Sequence, residues 1–131
     1  MRRIPVRILK EGRAEGELLV SQSAISFYGG VDLETGRVCE PGHELEGELL
    51  AGRILALPTG KGSTVGSYAL YRLAKAGLAP AAILLAEAEP IVVTGAILAG
   101  LPCADQVPVA ELHSGWHALL DGGALWVEDG S

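Results

Sequence analysis

Cysteines, aromatic side chains and clusters of basic residues are all scarce in this chain, and each shortage narrows what it can be. Only two cysteines occur in 131 residues, Cys39 and Cys103. They stand far apart and match no metal-ligand spacing such as C-x-x-C, so the chain's cysteines give no metal site, and two reduced thiols in a cytosolic protein are expected. Ten basic residues against 16 acidic ones leave a net charge of −6. Lys and Arg are nowhere dense enough to follow a phosphate backbone, which argues against nucleic acid as a partner. No apolar run reaches membrane-spanning length, so no membrane association is expected. The start of the chain is basic, but Arg7 and Lys10 follow Arg2 and Arg3 too closely to leave a secretory h-region, and a cytoplasmic location is expected.

What is present is a small-residue globular composition, 49% apolar with 18 glycines. No internal repeat, linker or low-complexity segment divides it. Residues 1–131 are expected to form one domain, large enough to bury roughly two-thirds of its unfolded surface without staples. Residues 5–9 and 16–20 read as strands separated by the turn-like Lys10-Glu11-Gly12-Arg13, which suggests an opening hairpin or meander. Residues 24–28 read as a third strand ended by Gly29-Gly30, followed by a long irregular connection to about Gly47. The apolar runs 53–57 and 81–86 read as buried strands on either side of a helix over 64–76 that Gly77 closes, one parallel crossover. Pro90 is expected to open a short helix over 91–99. Residues 102–109 and 124–127 read as closing strands, with Asp121-Gly122-Gly123 as the turn before the last.

The most informative stretch is Pro58-Thr59-Gly60-Lys61-Gly62-Ser63-Thr64, between the strand at 53–57 and the helix that follows. A glycine-bracketed turn at a helix N-terminus lets backbone N–H groups converge beside a hydroxyl, where negative charge is stabilised. Ser63 is thereby the residue best placed to carry chemistry. Three familiar motifs fail here. A P-loop requires Ser or Thr directly after its lysine, but Gly62 follows Lys61 and the preceding glycine is Gly52. Gly60, Gly62 and Gly66 make a G-x-G-x-x-x-G, one residue too long for a dinucleotide fingerprint. A nucleophile elbow lacks its symmetry around Ser63, and of the histidines a hydrolase would need, His113 and His117 read as surface residues, leaving His43. Ser63 also suits a helix N-cap, worth about 1 kcal/mol and requiring no catalysis. The loop alone leaves cap and site equally open.

Taken with its flanks, Gly60-Lys61-Gly62-Ser63-Thr64 resembles the small subunit, or swivel domain, of the aconitase X family. The supporting segments are Gly12-Arg13-Ala14-Glu15-Gly16-Glu17, Ile25-Ser26-Phe27-Tyr28-Gly29-Gly30-Val31-Asp32 with Thr35-Gly36, residues 43–47, Ala79-Pro80-Ala81-Ala82-Ile83, and Thr94-Gly95-Ala96-Ile97-Leu98-Ala99. Together they span about residues 10–103. The resemblance implies an α/β swivelling domain of β/β/α type, with mixed sheets and a strand–helix–strand unit. It also implies an iron–sulfur cluster held by a separate large subunit and a serine from this chain, Ser63, that removes the substrate's proton. Gly60, Lys61, Gly62 and Thr64 are the implied substrate-binding residues. The aconitase loop places an arginine soon after its serines, whereas Thr64-Val65-Gly66 stands here, so Lys61 or the large subunit is left to bind the substrate's carboxylate.

A serine hydroxyl is a weak base until preorganised donors and positive charge stabilise its alkoxide, and the glycine turn, the helix N-terminus and Lys61 suit that task. Fe–S clusters use three or four cysteines, which this chain lacks, so it is expected to be half an active site, no metal being bound by the chain alone. Within the family, stand-alone small subunits serve dehydration of (R)-5-phosphomevalonate to trans-anhydromevalonate 5-phosphate, and a related branch dehydrates cis-3-hydroxy-L-proline. The first is the expected reaction, because this chain is a separate subunit; the other hydroxy acid, or a non-catalytic binding module of the same fold, is the alternative.

Overall fold

The computed structural model describes residues 1–61 and 64–128. Among the described residues, eight strands run β1 (Arg2–Pro5), β2 (Arg7–Lys10), β3 (Ala14–Val20), β4 (Ile54–Leu57), β5 (Ala82–Leu85), β6 (Cys103–Asp105), β7 (His117–Asp121) and β8 (Ala124–Glu128). The helical segments are a single turn α1 (Phe27–Gly30) and two longer helices, α2 (Thr64–Lys75) and α3 (Pro90–Ala99). The strands form one sheet in the order β1-β8-β7-β3-β4-β5-β6-β2. Strands β1 and β2 lie at opposite margins of that order, yet Val6 alone joins them. One residue spans only a few ångströms, so the two margins must meet and the sheet curls into a nearly closed ring.

Strands β3 to β6 are mutually parallel, and every other pairing is antiparallel. Successive side chains on the parallel strands alternate between two cores. Leu18, Val20, Ile54, Ala56, Ala82 and Leu84 point into the ring, where they meet Ala104, Ala118, Leu120 and Leu125. Leu19, Leu55, Leu57, Ile83 and Leu85 point outward onto Leu70, Leu73, Val92 and Ala96 of the helices and onto the 25–50 segment through Ile25, Phe27, Val38 and Leu50. Burial on both faces is why β4 and β5 read as unbroken apolar runs. Each fully buried Leu or Ile contributes roughly 1.5–3 kcal/mol.

The helices have readable ends. Arg72 and Lys75 occupy the last turn of α2, favourable against its dipole, and Gly77 follows in the left-handed region at φ 74°. At the head of α3 the Glu89 carboxylate accepts the N–H groups of Ile91 (3.0 Å) and Val92 (2.8 Å), with Pro90 in the first turn. The two helices cross closely at Gly95, where an added Cβ would lie 3.0 Å from the Ser67 Cα and from Leu70 Cδ1. There the Ser67 hydroxyl donates to the Ile91 carbonyl at 2.6 Å.

Three expectations need correction. The opening hairpin is absent: β2 pairs with β6, and β3 with β4 and β7, so the chain changes neighbours between Lys10 and Ala14. Residues 24–28 are not a strand. Ser26 Oγ donates to the Tyr28 carbonyl at 2.9 Å and Gly29 sits at φ 88°, so the backbone closes a turn and leaves Ile25 and Phe27 to the core. The strand at 102–109 ends at Asp105, because Gln106 adopts φ 58° and Pro108 has no N–H to donate. Strand β7 went unread, its polar flank masking the alternating Ala118 and Leu120. The α/β class, the mixed sheet and the strand–helix–strand unit β4-α2-β5 are as expected. No helix among the described residues is long and apolar enough to cross a membrane.

At the seam, Asp105 is 3% exposed and receives Arg7 Nε (2.7 Å) and Nη2 (2.6 Å), plus the Ala88 N–H (3.2 Å). The Arg7 hydrogen bonds, against the opposing effect of burial, hold the Asp105 carboxyl below its usual range. Its stabilisation is therefore complete above the unfolded-state pKa near 3.9 and is lost as pH falls toward the folded value. Asp105→Asn is expected to lower urea stability by about 1 kcal/mol at pH 7, since half-exposed Arg7 is screened by solvent. That deficit shrinks below about pH 4.

Candidate functional site

The loop singled out in the sequence leaves β4 at the carboxyl end of the parallel strands, the end where such sheets present ligand sites. Its first residues are fastened to the β5–α3 connection: Ala86 N–H donates to the Leu57 carbonyl (3.1 Å) and Glu87 N–H to the Pro58 carbonyl (3.0 Å). Gly60 then presses onto the first turn of α3. A Cβ there would collide with Val92 Cγ2 and lie 3.0 Å from Val92 Cβ and 3.1 Å from Glu89 Oε2. Glycine is required by space and not by φ, since Gly60 is not among the residues with positive φ.

Lys61 comes next. Its Nζ donates to Glu40 Oε2 at 3.0 Å, while the other carboxylate oxygen, Oε1, accepts the Ser26 N–H at 3.1 Å. Burial pushes the Glu40 carboxyl upward, but the Ser26 N–H and the hydrogen bond and charge of Lys61 outweigh it, leaving the group below its usual range. An ionised carboxylate thus faces an ammonium beside the loop.

Of the expected site residues, Gly60 and Lys61 lie side by side at this corner, and Thr64 begins α2. Gly62 and Ser63 lie outside the described residues, and with them both readings of Ser63, base and helix cap. The histidines stay away from the loop's chemistry. His43 is buried and accepts the Leu45 N–H at Nδ1 (3.1 Å), while its Nε2 lies 3.2 Å from the Ser23 and Ala24 carbonyls. That pattern fixes the neutral tautomer with hydrogen on Nε2, ties both nitrogens to backbone and makes His43 a brace. His113 and His117 are exposed, as expected, the first against the Trp116 ring and the second 2.8 Å from Glu15.

Sequence reasoning missed Glu40, Ser26 and Glu89. Glu89-Pro90 carries a readable signal, an acidic cap before a first-turn proline. Nothing local announces Glu40, whose partner lies 21 residues away.

Comparison with known proteins bears on the family and the fold. The profile of the aconitase X swivel domain matches residues 3–128. A phosphomevalonate dehydratase small subunit from Thermococcus onnurineus is 52% identical over 120 residues, covering 90% of this chain and 92% of that protein. One of the same name from Pyrococcus furiosus is 50% identical over 116 residues, covering 88% and 87%. A crystal structure of aconitase X from Thermococcus kodakaraensis, in its holo-form, matches with a TM-score of 0.94 at 44% identity, covering 98% of this chain and 100% of that one. On the profile match, the half-identical relatives and the shared fold, the chain belongs to the aconitase X swivel-domain family.

Proposed function

We propose that this chain is the small subunit of a two-subunit iron–sulfur hydro-lyase that dehydrates (R)-5-phosphomevalonate to trans-anhydromevalonate 5-phosphate, with Ser63 as the general base. One observation carries the reading: relatives about half identical along nearly nine-tenths of both chains are named small subunits of phosphomevalonate dehydratase. Fold likeness alone would not specify a reaction. The loop supports the assignment chemically, because it joins a parallel strand to a helix N-terminus and places a lysine two residues before Ser63.

In this proposal Ser63, as its alkoxide, takes the proton from the carbon beside the substrate's carboxylate. The electron pair of that C–H bond forms the new double bond, and the hydroxyl on the neighbouring carbon departs as hydroxide, which takes up a proton from solvent to become water, while Ser63 later returns its proton to solvent. Backbone N–H groups of the glycine turn and the Lys61 ammonium stabilise the alkoxide before the transfer. Gly60, Lys61, Gly62 and Thr64 are the substrate-binding residues of this proposal.

The residues of this chain do not fit an iron–sulfur cluster. Cys39 is exposed and Cys103 buried, its thiol pushed up to about 12 by burial and by Asp105. Among the described residues no group of three or more His, Cys, Asp or Glu is placed to hold a metal ion. The cluster is accordingly assigned to the large subunit.

The experiment is anaerobic reconstitution with the large subunit. The chain alone is expected to be inactive and the mixture to dehydrate (R)-5-phosphomevalonate. Ser63→Ala should cut kcat by about 10²–10⁴-fold while the subunits still co-elute. Wild-type turnover by Ser63→Ala removes the base assignment, and turnover of cis-3-hydroxy-L-proline in place of phosphomevalonate reassigns the substrate.

A further inference from the structure

None of the residues of the segment Ser26-Phe27-Tyr28-Gly29-Gly30 enters the chemistry above. In the structure it is a cradle for one carboxylate. The Gly30 carbonyl accepts the N–H groups of Cys39 (2.9 Å) and Glu40 (3.2 Å), and the Gly30 N–H closes the turn onto the Ser26 carbonyl (2.9 Å). Glu40 Oε1 then folds back onto the Ser26 N–H at 3.1 Å. It passes Gly30 so closely that a Cβ on that residue would lie 2.8 Å from Oε1. Turn backbone and missing side chain together set the direction of the carboxylate, and its free oxygen meets Lys61 Nζ at 3.0 Å.

We propose that Glu40 is a positioning residue of the site: it holds the Lys61 ammonium, and through it the loop that carries Ser63, where the reaction needs them. This rests on the function proposed above. The Lys61 side chain is 53% exposed and that of Glu40 22%. A pair so open to solvent adds little to stability, so stability does not account for a cradle built around it. An ammonium has three donors and Glu40 occupies one, which fixes the cation in place and leaves capacity for an anionic substrate. Together with the Gly60 contact on α3, the pair fastens the loop at two successive residues just before Ser63.

Two variants separate position from charge. Glu40→Gln removes the charge; Gly30→Ala keeps it and pushes the flexible carboxylate aside. In the reconstituted enzyme each is expected to lower kcat roughly ten- to hundred-fold, the scale of an ångström's misplacement. Removing a negative charge beside an anionic substrate should leave KM for phosphomevalonate unchanged or lower. In a Lys61→Met background Glu40→Gln should have no further effect. In the subunit alone, the Lys61 side-chain resonances should shift in both variants.

Wild-type kcat in both variants while Ser63→Ala is inactive overturns the positioning role and leaves the base assignment standing. Loss in both variants with Ser63→Ala fully active does the reverse. Losses that simply add to that of Lys61→Met, or Lys61 resonances that ignore both variants, overturn the role of Glu40.

Discussion

At Gly60 the backbone of the loop lies against Val92 with no space for even a methyl group. That contact decides where the loop goes, and much of the structure serves to keep it. Val92 sits in the first turn of α3, whose N–H groups are capped by Glu89, and α3 is held to α2 by the close crossing at Gly95 and the Ser67–Ile91 hydrogen bond. Gly60 therefore rests on the N-terminal turn of a helix that is already locked to α2. A catalytic group set on such a frame needs little reorganisation when a substrate arrives.

The frame in turn depends on the sheet. Helices α2 and α3 share the outer core with the 25–50 segment, so the cradle around Glu40 and the loop after β4 rest on one body of packed Leu, Ile and Val side chains. The inner core closes the ring with smaller residues, Ala56, Ala82, Ala104 and Ala118, which suits the tight curvature that the single-residue β1–β2 link imposes. The Arg7–Asp105 pair ties the margin strand β2 to β6 beside the connection that receives the loop. Structural polar groups are thus spent near the carboxyl ends of the parallel strands, where the proposed chemistry lies.

Much of this was legible in the sequence where the signal was local. Continuous apolar runs at 53–57 and 81–86 announced buried strands, and Gly77 and Pro90 marked helix boundaries. The early strands were misread because pairing partners lie outside any local window: β1 meets β8 and β2 meets β6, about a hundred residues away. The 24–28 segment has strand-like residues, but the Ser26 hydroxyl and Gly29 satisfy its backbone as a turn. The loop itself was found from glycine and hydroxyl spacing. Its brace, Glu40, was not, since a carboxylate bound for a lysine 21 residues on carries no periodicity.

The contact of Gly60 with α3 sets the loop, and Gly60→Ala disturbs that contact alone, because the residue's φ does not demand glycine. The decisive measurement is kcat for phosphomevalonate dehydration by Gly60→Ala assembled with the large subunit, alongside its urea stability. The account predicts at least a ten-fold loss of kcat from a subunit that still folds and still binds its partner. Wild-type turnover in that complex would contradict it.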